Sequence, residues 1–305
     1  MSLAFVFPGQ GAFRPGCLDA WLDQPAAALL EEISGALGRD ITRVAVDPTA
    51  GARTADAQPA ILAASLVAWQ AVTDAGLRPS HVAGHSLGEV AAAVAAGALT
   101  VSDAARLVEV RGRSMARACA QRPGTMAALV RLDPDQVEHL VAGVEGAVVA
   151  NDNAPGQVVV AGPEEAVGRV SALAREAGGR ALPIEVEGAF HSPAMEPAVP
   201  AVAEFVATLE LRDPEVPLVS GTTASPVTTA AEIATALVEG ILAPVRWREV
   251  QLALQDRGAT TLLELGPGGV LKGLAKRTVR ELEVLTVDTP EQAEHAAAAL
   301  TARAH

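Results

Sequence analysis

Short apolar runs alternate with longer segments of helical spacing along this chain. A fully apolar run at 3–7, a mostly apolar run at 261–265 and a shorter run at 81–83 predict buried strands. The spacing of hydrophobic positions predicts helices at 18–37, 59–75, 89–96, 102–120, 193–209, 247–256 and 292–304. Buried strands that alternate with helices indicate an α/β fold around a parallel sheet.

The middle of the chain has a different pattern of shorter elements. After a Gln-Arg-Pro-Gly break at 121–124, the pattern predicts strand 125–131, helix 134–141, strand 147–151, strand 157–161, helix 164–177 and strand 180–185. This β-α-β-β-α-β order is the ferredoxin-like plan. We therefore predict a ferredoxin-like small domain at 122–187, inserted into a large domain formed by 1–121 and 188–305.

Composition and charge narrow the class of protein. Half of the 305 residues are hydrophobic but only 3% are aromatic, so the core must consist mainly of Ala, Val and Leu. A net charge of −13 argues against nucleic acid or an anionic membrane as the main partner. Cys17 and Cys119 are expected to be buried structural thiols rather than a disulfide or zinc framework. The first apolar run is too short for a signal peptide or a membrane span, so we expect a soluble cytoplasmic protein.

A complete Gly-x-Ser-x-Gly motif, Gly-His-Ser-Leu-Gly at 84–88, lies between a predicted strand and a predicted helix. In a nucleophile elbow the turn between them is so sharp that side chains at the two glycine positions would clash. Ser86 would then project from the turn, and the backbone N–H of Leu87 would point towards a developing oxyanion. A chance match in a chain rich in Gly and Ala is the alternative.

A serine nucleophile needs a base, and position favours one of the six histidines. His191 lies where the chain returns to the large domain, just before a Ser-Pro pair suited to begin a helix. A surface histidine in a loop is the alternative for His191. Gln10, between two glycines after the first strand, could supply a second backbone donor, although such a motif is more often a simple turn. Arg111 lies in the long predicted helix, where most arginines are solvated.

Six motifs occur in the order and spacing of one enzyme family. They are Phe-Pro-Gly-Gln-Gly at 7–11, Gly-His-Ser-Leu-Gly-Glu at 84–89, Val-Arg-Gly at 110–112, Asn-x-Asn-x-Pro-Gly-Gln-Val at 151–158, Ala-Phe-His-Ser at 189–192 and Glu-Leu-Gly-Pro-Gly at 264–268. With these motifs the chain resembles the malonyl-CoA:acyl carrier protein transacylases and polyketide synthase acyltransferases. The resemblance covers nearly the whole chain and implies an α/β-hydrolase-like core with a ferredoxin-like insert.

The resemblance also implies roles for individual residues. Ser86 would be the nucleophile and His191 the base, with the backbone amides of Gln10 and Leu87 as the oxyanion hole. Arg111 would bind the free carboxylate of a malonyl group, for which its planar fork of N–H donors is suited.

Four further positions carry weaker implications. Asn151 and Asn153 match a motif near the active-site mouth, although turn formation is an equal alternative. The family often orients its catalytic histidine with a main-chain carbonyl, and the aligned position here is Gly240. Phe190 would leave little room for an α-methyl branch, which favours malonyl over methylmalonyl, although core packing alone could explain it.

The implied reaction is ping-pong transfer of malonyl from malonyl-CoA, through an acyl-serine, to the phosphopantetheine thiol of an acyl carrier protein. The pathway would be polyketide or fatty-acid biosynthesis, with no metal or redox cofactor and a monomeric enzyme. A proofreading acyl-thioester hydrolase and transfer of a substituted malonyl unit are the alternatives. Six basic residues are candidates to meet the acidic carrier or the CoA phosphates, with a solvated surface as the alternative: Arg246, Arg248, Lys272, Lys276, Arg277 and Arg280.

Overall fold

The computed structural model describes residues 2–302, which form ten strands and twelve α-helices. The strands are β1 (Leu3–Phe7), β2 (His81–Gly84), β3 (Thr125–Val130), β4 (Val148–Ala154), β5 (Gln157–Gly162), β6 (Arg180–Ile184), β7 (Leu218–Val219), β8 (Pro226–Val227), β9 (Thr261–Leu265) and β10 (Glu283–Val287). The helices are α1 (Ala28–Leu37), α2 (Ile41–Val46), α3 (Thr54–Asp74), α4 (Gly88–Ala95), α5 (Val101–Gln121), α6 (Pro134–Ala142), α7 (Glu164–Glu176), α8 (Val199–Val206), α9 (Ala230–Glu239), α10 (Trp247–Asp256), α11 (Val270–Thr278) and α12 (Pro290–Thr301). Short 3₁₀ segments lie at Gln10–Ala12, Asp19–Trp21, Pro25–Ala27, Ala50–Ala52 and Pro193–Ala198.

A six-stranded sheet in the order β10-β9-β1-β2-β7-β8 forms the centre of the large domain. Its neighbouring strands are parallel except for β8, which is antiparallel to β7. Every residue of β1 and β9 is buried, as expected for parallel strands covered by helices on both faces. Phe7 pairs with Gly84 at the carboxyl ends of β1 and β2, so the loops that follow these two strands lie side by side. Ligands of such sheets bind at this edge.

The second sheet has four antiparallel strands in the order β4-β5-β3-β6. With α6 and α7 its elements follow one another as β-α-β-β-α-β, and all of them lie within residues 125–184. This arrangement confirms the predicted fold class, an α/β-hydrolase-like core with a ferredoxin-like insert.

Strand β4 joins the small sheet to the large domain. Val245 exchanges backbone hydrogen bonds with it, accepting from Asp152 N–H at 2.8 Å and donating to Ala150 O at 2.9 Å. Arg248 on α10 also forms an ion pair of 2.7 Å with Asp152. Strand β4 continues to Ala154, past the predicted end at Asn151, where Ala154 pairs with Gln157 of β5.

Proline explains where helices differ from the sequence prediction. Helix α3 begins at Thr54 rather than at 59, so that Pro59 lies inside it. Proline has no N–H to donate to the carbonyl of Ala55, and this carbonyl accepts a hydrogen bond from Arg39 Nη2 at 2.7 Å instead. The helix can therefore begin before the proline. The predicted helix 18–37 is α-helical only from Ala28, after two 3₁₀ turns. The predicted helix 193–209 likewise begins as the 3₁₀ turn that contains Pro193 and Pro197.

Other elements were missed or shifted. The sequence prediction omitted α2, α9, α11, β7, β8 and β10, none of which is longer than ten residues. The predicted last helix, 292–304, is α12, and residues 303 and 304 lie outside the described residues. Both cysteines are buried and unpaired, as predicted. Within residues 2–302, no helix is both long enough and apolar enough to cross a membrane.

Candidate active site

Ser86 occupies a strained turn between β2 and α4. Its φ of +52° is in the left-handed region, which residues other than glycine rarely adopt. A Cβ at Gly84 would lie 2.0 Å from the carbonyl carbon of Gly88, and a Cβ at Gly88 would lie 2.1 Å from Phe7 O. Both positions therefore require glycine, and the elbow has the geometry that the sequence motif predicts.

The hydroxyl of Ser86 is hydrogen-bonded to His191, which is buried and also in the left-handed region at φ +56°. Ser86 Oγ lies 2.8 Å from Nε2, and Nδ1 lies 3.0 Å from the carbonyl oxygen of Ala243. A carbonyl only accepts, so Nδ1 carries the hydrogen. Burial, with further contributions from Arg111 and His85, lowers the pKa of His191 from 6.5 to about 3. The ring is therefore neutral, Nε2 is free to accept, and the serine hydroxyl donates to it.

The carbonyl that orients His191 differs from the one expected. The family resemblance predicted the carbonyl of Gly240, whereas Nδ1 donates its hydrogen bond to the carbonyl of Ala243, three residues later. The Gly240 carbonyl also faces the ring. Like the Ala243 carbonyl, it raises the pKa of His191. The segment after α9 turns sharply here, with Ala243 N–H bonded to Glu239 O at 2.9 Å, and presents both carbonyls to the imidazole. A main-chain orienter was predicted, but its main acceptor is a different residue.

Arg111 lies beside the serine and is not solvated. Only 5% of it is exposed, Nη2 donates to Ser86 Oγ at 3.2 Å, and Nη1 donates to Gln58 Oε1 at 2.7 Å. Burial lowers the pKa of Arg111 to about 10, partly offset by the nearby Glu89, and the guanidinium remains charged at neutral pH. A guanidinium has five N–H groups. Two of them make these bonds, so others can receive an anionic group next to the nucleophile.

Gln10 and Leu87 line the same cleft as Ser86, and their backbone amides are the candidate oxyanion donors. Gln10 begins the 3₁₀ turn after β1, and Leu87 immediately precedes α4 at its N-terminus. Neither N–H donates a hydrogen bond to another group within residues 2–302. Donors of this kind, at a helix start and beside a serine, can stabilise an oxyanion.

The site opens into a cleft of about 190 Å³ between the two sheets. Phe190 and both predicted asparagines line it and are largely buried. Asn151 and Asn153 lie on β4 rather than in a turn, and Asn153 Oδ1 is 2.8 Å from Nε2 of His85. The turn is at Pro155-Gly156, where Gly156 has φ +72°. No cluster of three or more His, Cys, Asp or Glu suited to a metal ion occurs in the part of the chain that the structure describes.

Three residues of the site were not predicted. Gln58 and Thr54 on α3 are fully buried and hydrogen-bonded to each other, and Glu89 on α4 is buried behind Arg111. Burial raises the pKa of Glu89 to about 7, against the hydrogen bond that it accepts from Gly221 N–H at 3.1 Å. Gln58 and Glu89 each border an apolar helical stretch, which is the sequence signal that could have identified them, whereas Thr54 lies among polar residues and has no such signal.

Comparison with known proteins agrees with this geometry. A family profile described as "Acyl transferase domain" matches residues 4–303. The malonyl CoA-acyl carrier protein transacylase of Bacillus subtilis is 38% identical over 301 residues, 96% of this chain and 95% of that protein. The protein of the same name from Escherichia coli K12 is 39% identical over 298 residues, 94% of this chain and 96% of that protein.

Solved structures have the same fold. The acyl-carrier-protein S-malonyltransferase of Burkholderia pseudomallei superposes with a TM-score of 0.93 at 38% identity, covering 98% of this chain and 100% of that chain. A malonyl-transacylase in complex with its type II PKS acyl-carrier protein superposes with a TM-score of 0.94 at 35% identity, covering 98% of this chain and 99% of that chain. With its elbow serine, paired histidine and two-sheet architecture, this chain belongs to the acyl transferase family.

Proposed function

We propose that this protein transfers a malonyl group from malonyl-CoA, through an ester on Ser86, to the phosphopantetheine thiol of an acyl carrier protein. The observation that carries the proposal is the buried Arg111, which donates to the nucleophile itself. A cation in this position suits an acyl group that ends in a carboxylate. The relatives support the same substrate pair, since they are malonyl transacylases named for the acyl carrier protein, and one was solved in complex with its carrier.

The first half-reaction follows from the hydrogen bonds of the site. With the malonyl carboxylate on Arg111, Ser86 Oγ attacks the thioester carbonyl while its proton passes to Nε2 of His191. The amides of Gln10 and Leu87 hold the oxygen that becomes negative. Collapse of the tetrahedral intermediate breaks the carbon–sulfur bond, and the CoA thiolate takes the proton from Nε2. The Ala243 carbonyl holds the ring through both transfers.

The second half-reaction is the reverse with another thiol. The phosphopantetheine sulfur of the carrier gives its proton to His191 and attacks the malonyl ester. The ester bond then breaks and Ser86 recovers its proton. The cycle consists of proton and acyl transfers, so it requires no metal or redox cofactor.

A basic surface beside the cleft is the proposed contact for the carrier. Helix α11 borders the cleft through Val270, Leu271 and Leu274. Its basic residues on the outside are Lys276, Arg277 and the following Arg280, all exposed, with Lys272 half-buried. Within residues 2–302 none of the four forms an ion pair, although Arg277 donates to Gln157 Oε1 at 2.9 Å. Arg246 and Arg248 pair instead with Glu249 and Asp152, which leaves α11 as the basic surface offered to an acidic partner.

Phe190 supports malonyl as the acyl unit. It is 7% exposed and borders the cleft together with Met115 and Met126. These side chains line the same cleft as Arg111, in which an α-substituent would have to fit. A substituted malonyl unit is the competing substrate, and the monomeric state and cytoplasmic location remain predictions.

Transfer can be separated from hydrolysis in one experiment. The protein is exposed briefly to malonyl-CoA, freed of excess substrate, and divided between buffer and buffer that contains a phosphopantetheinylated acyl carrier protein. We expect the malonyl adduct to persist in buffer and to move to the carrier. Loss of the adduct at the same rate in both samples would contradict the transferase and favour the acyl-thioester hydrolase.

A further inference from the structure

Two parts of the site that do different chemistry are connected by one side chain on α3. Thr54 Oγ1 lies 2.8 Å from Gln10 Oε1 and 2.8 Å from Gln58 Nε2. Gln58 accepts a hydrogen bond from Arg111, and Gln10 supplies one of the two candidate oxyanion-hole amides in the same cleft as Ser86. We call Gln10, Thr54, Gln58 and Arg111 the Thr54 network.

The direction of every hydrogen bond in the Thr54 network is fixed by its charged end. Arg111 can only donate, so the oxygen of the Gln58 amide must face it, and the amide NH₂ must face Thr54. Thr54 Oγ1 therefore accepts from Gln58 and directs its own hydrogen to Gln10 Oε1. The NH₂ of Gln10 then faces Gly51 O, at 3.4 Å. No member can reverse its amide without placing two donors or two acceptors together.

Burial makes this order costly to break. Thr54 and Gln58 are fully buried, and Arg111 is 5% exposed, so water cannot replace a lost partner. The start of α3 is held from a second direction, because Thr54 N–H donates to the carboxylate of Glu187 at 2.9 Å. A carboxylate at a helix N-terminus stabilises the first turn. Thr54 is thus fixed in place on both its backbone and its side chain.

We infer that Thr54 is a positioning residue, which through the Thr54 network sets both the carboxylate-binding guanidinium of Arg111 and the backbone of Gln10. This inference rests on the proposed function, since it takes Arg111 as the malonyl-binding group. Two effects follow from loss of the hydroxyl. Acylation by any acyl-CoA slows because the Gln10 amide is displaced, and malonyl-CoA loses more than acetyl-CoA because Arg111 is displaced as well.

The test compares Thr54→Val, which keeps the shape but removes the hydroxyl, with Thr54→Ser, which keeps the hydroxyl. The matched control is Ser65→Ala, on the same helix, where the buried hydroxyl has no hydrogen-bond partner within residues 2–302. The rates of Ser86 acylation by malonyl-CoA and by acetyl-CoA are measured over a range of concentrations, which separates kcat from KM. Thermal unfolding identifies variants that are merely unstable, and Thr54→Ala replaces Thr54→Val if the valine variant does not fold.

We expect the ratio of malonyl to acetyl kcat/KM to fall about tenfold in Thr54→Val, with a higher malonyl KM, because a small displacement of a binding group has effects of this size. Thr54→Ser should restore the ratio, and Ser65→Ala should leave it unchanged. Equal losses for both substrates, or an unchanged ratio, in a folded Thr54→Val protein would overturn the inference alone. Failure of the wild-type protein to form any malonyl adduct would overturn the proposed function and this inference together.

Discussion

The low pKa of His191 predicts an unusual dependence of acylation on pH. The base must be neutral to accept the proton of Ser86, and its pKa of about 3 results from burial first and from Arg111 and His85 second. At pH 5 a histidine with the ordinary pKa of 6.5 would be neutral in only about 3% of molecules, whereas a pKa of about 3 leaves about 99% neutral. Activity that depends on this base should therefore survive acidification that would inactivate an ordinary histidine.

The assay is kcat/KM for acylation of Ser86 by malonyl-CoA between about pH 4.5 and pH 8, because this quantity reports ionisation of the free enzyme. We expect kcat/KM at pH 5 to lie within about twofold of its value at pH 8, whereas a pKa of 6.5 would lower it about thirtyfold. Since burial raises the pKa of Glu89 to about 7, protonation of Glu89 could add a change near neutral pH. The profile is therefore measured in Glu89→Gln as well.

The pH profiles of the wild-type protein and of Glu89→Gln together distinguish titration of His191 from titration of Glu89. An inflection near pH 7 that is lost in Glu89→Gln belongs to Glu89 and leaves the reasoning on His191 intact. A thirtyfold fall centred near pH 6.5 that persists in Glu89→Gln would refute it, because His191 would then titrate as a solvated histidine.

Three other predictions concern the carboxylate site, the elbow and the carrier-binding surface. Arg111→Ala should lower kcat/KM for malonyl-CoA about a hundredfold and for acetyl-CoA much less, because two hydrogen bonds to a carboxylate contribute about 3 kcal/mol together; equal losses in the acylation assay would argue against carboxylate binding. Gly88→Ala should lower the thermal unfolding temperature or prevent folding, since its Cβ would meet Phe7 O at 2.1 Å, whereas Gly11→Ala, with nothing within 4 Å, should not. Reversal of charge at Lys276 and Arg277 should slow transfer to the carrier about tenfold at low salt without changing acylation by malonyl-CoA; unchanged transfer would exclude α11 as the docking surface.

Features set by local physical rules were predictable from the sequence. Strand β9 and helix α10 have the bounds that the sequence predicts, because Gly266-Pro267 ends the strand and the hydrophobic positions of α10 recur with helical spacing. The elbow at Ser86 was equally predictable from its five-residue motif, because a Cβ at Gly84 would meet the backbone of Gly88, although the demand for glycine at 88 comes from Phe7 on β1. The alternation of short elements also predicted the ferredoxin-like insert, because it depends only on the order of elements.

Features that depend on distant segments were not predictable. The bond from His191 to Ala243 joins positions 52 residues apart, and it depends on how the chain turns after α9. Gln58 becomes part of the site only because α3 packs against α5 and brings it to Arg111. The start of α3 at Thr54 likewise depends on Arg39, which donates to the carbonyl of Ala55 in place of the N–H that Pro59 lacks. None of these partners is visible in the local pattern.

Intact-protein mass spectrometry after brief exposure to malonyl-CoA tests the central claim most directly, with Ser86→Ala and an acetyl-CoA sample in parallel. The account predicts one malonyl-sized adduct on the wild-type protein, none on Ser86→Ala, and less adduct from acetyl-CoA than from malonyl-CoA at equal concentration. An adduct that forms equally on Ser86→Ala, or acetylation that exceeds malonylation, would contradict it.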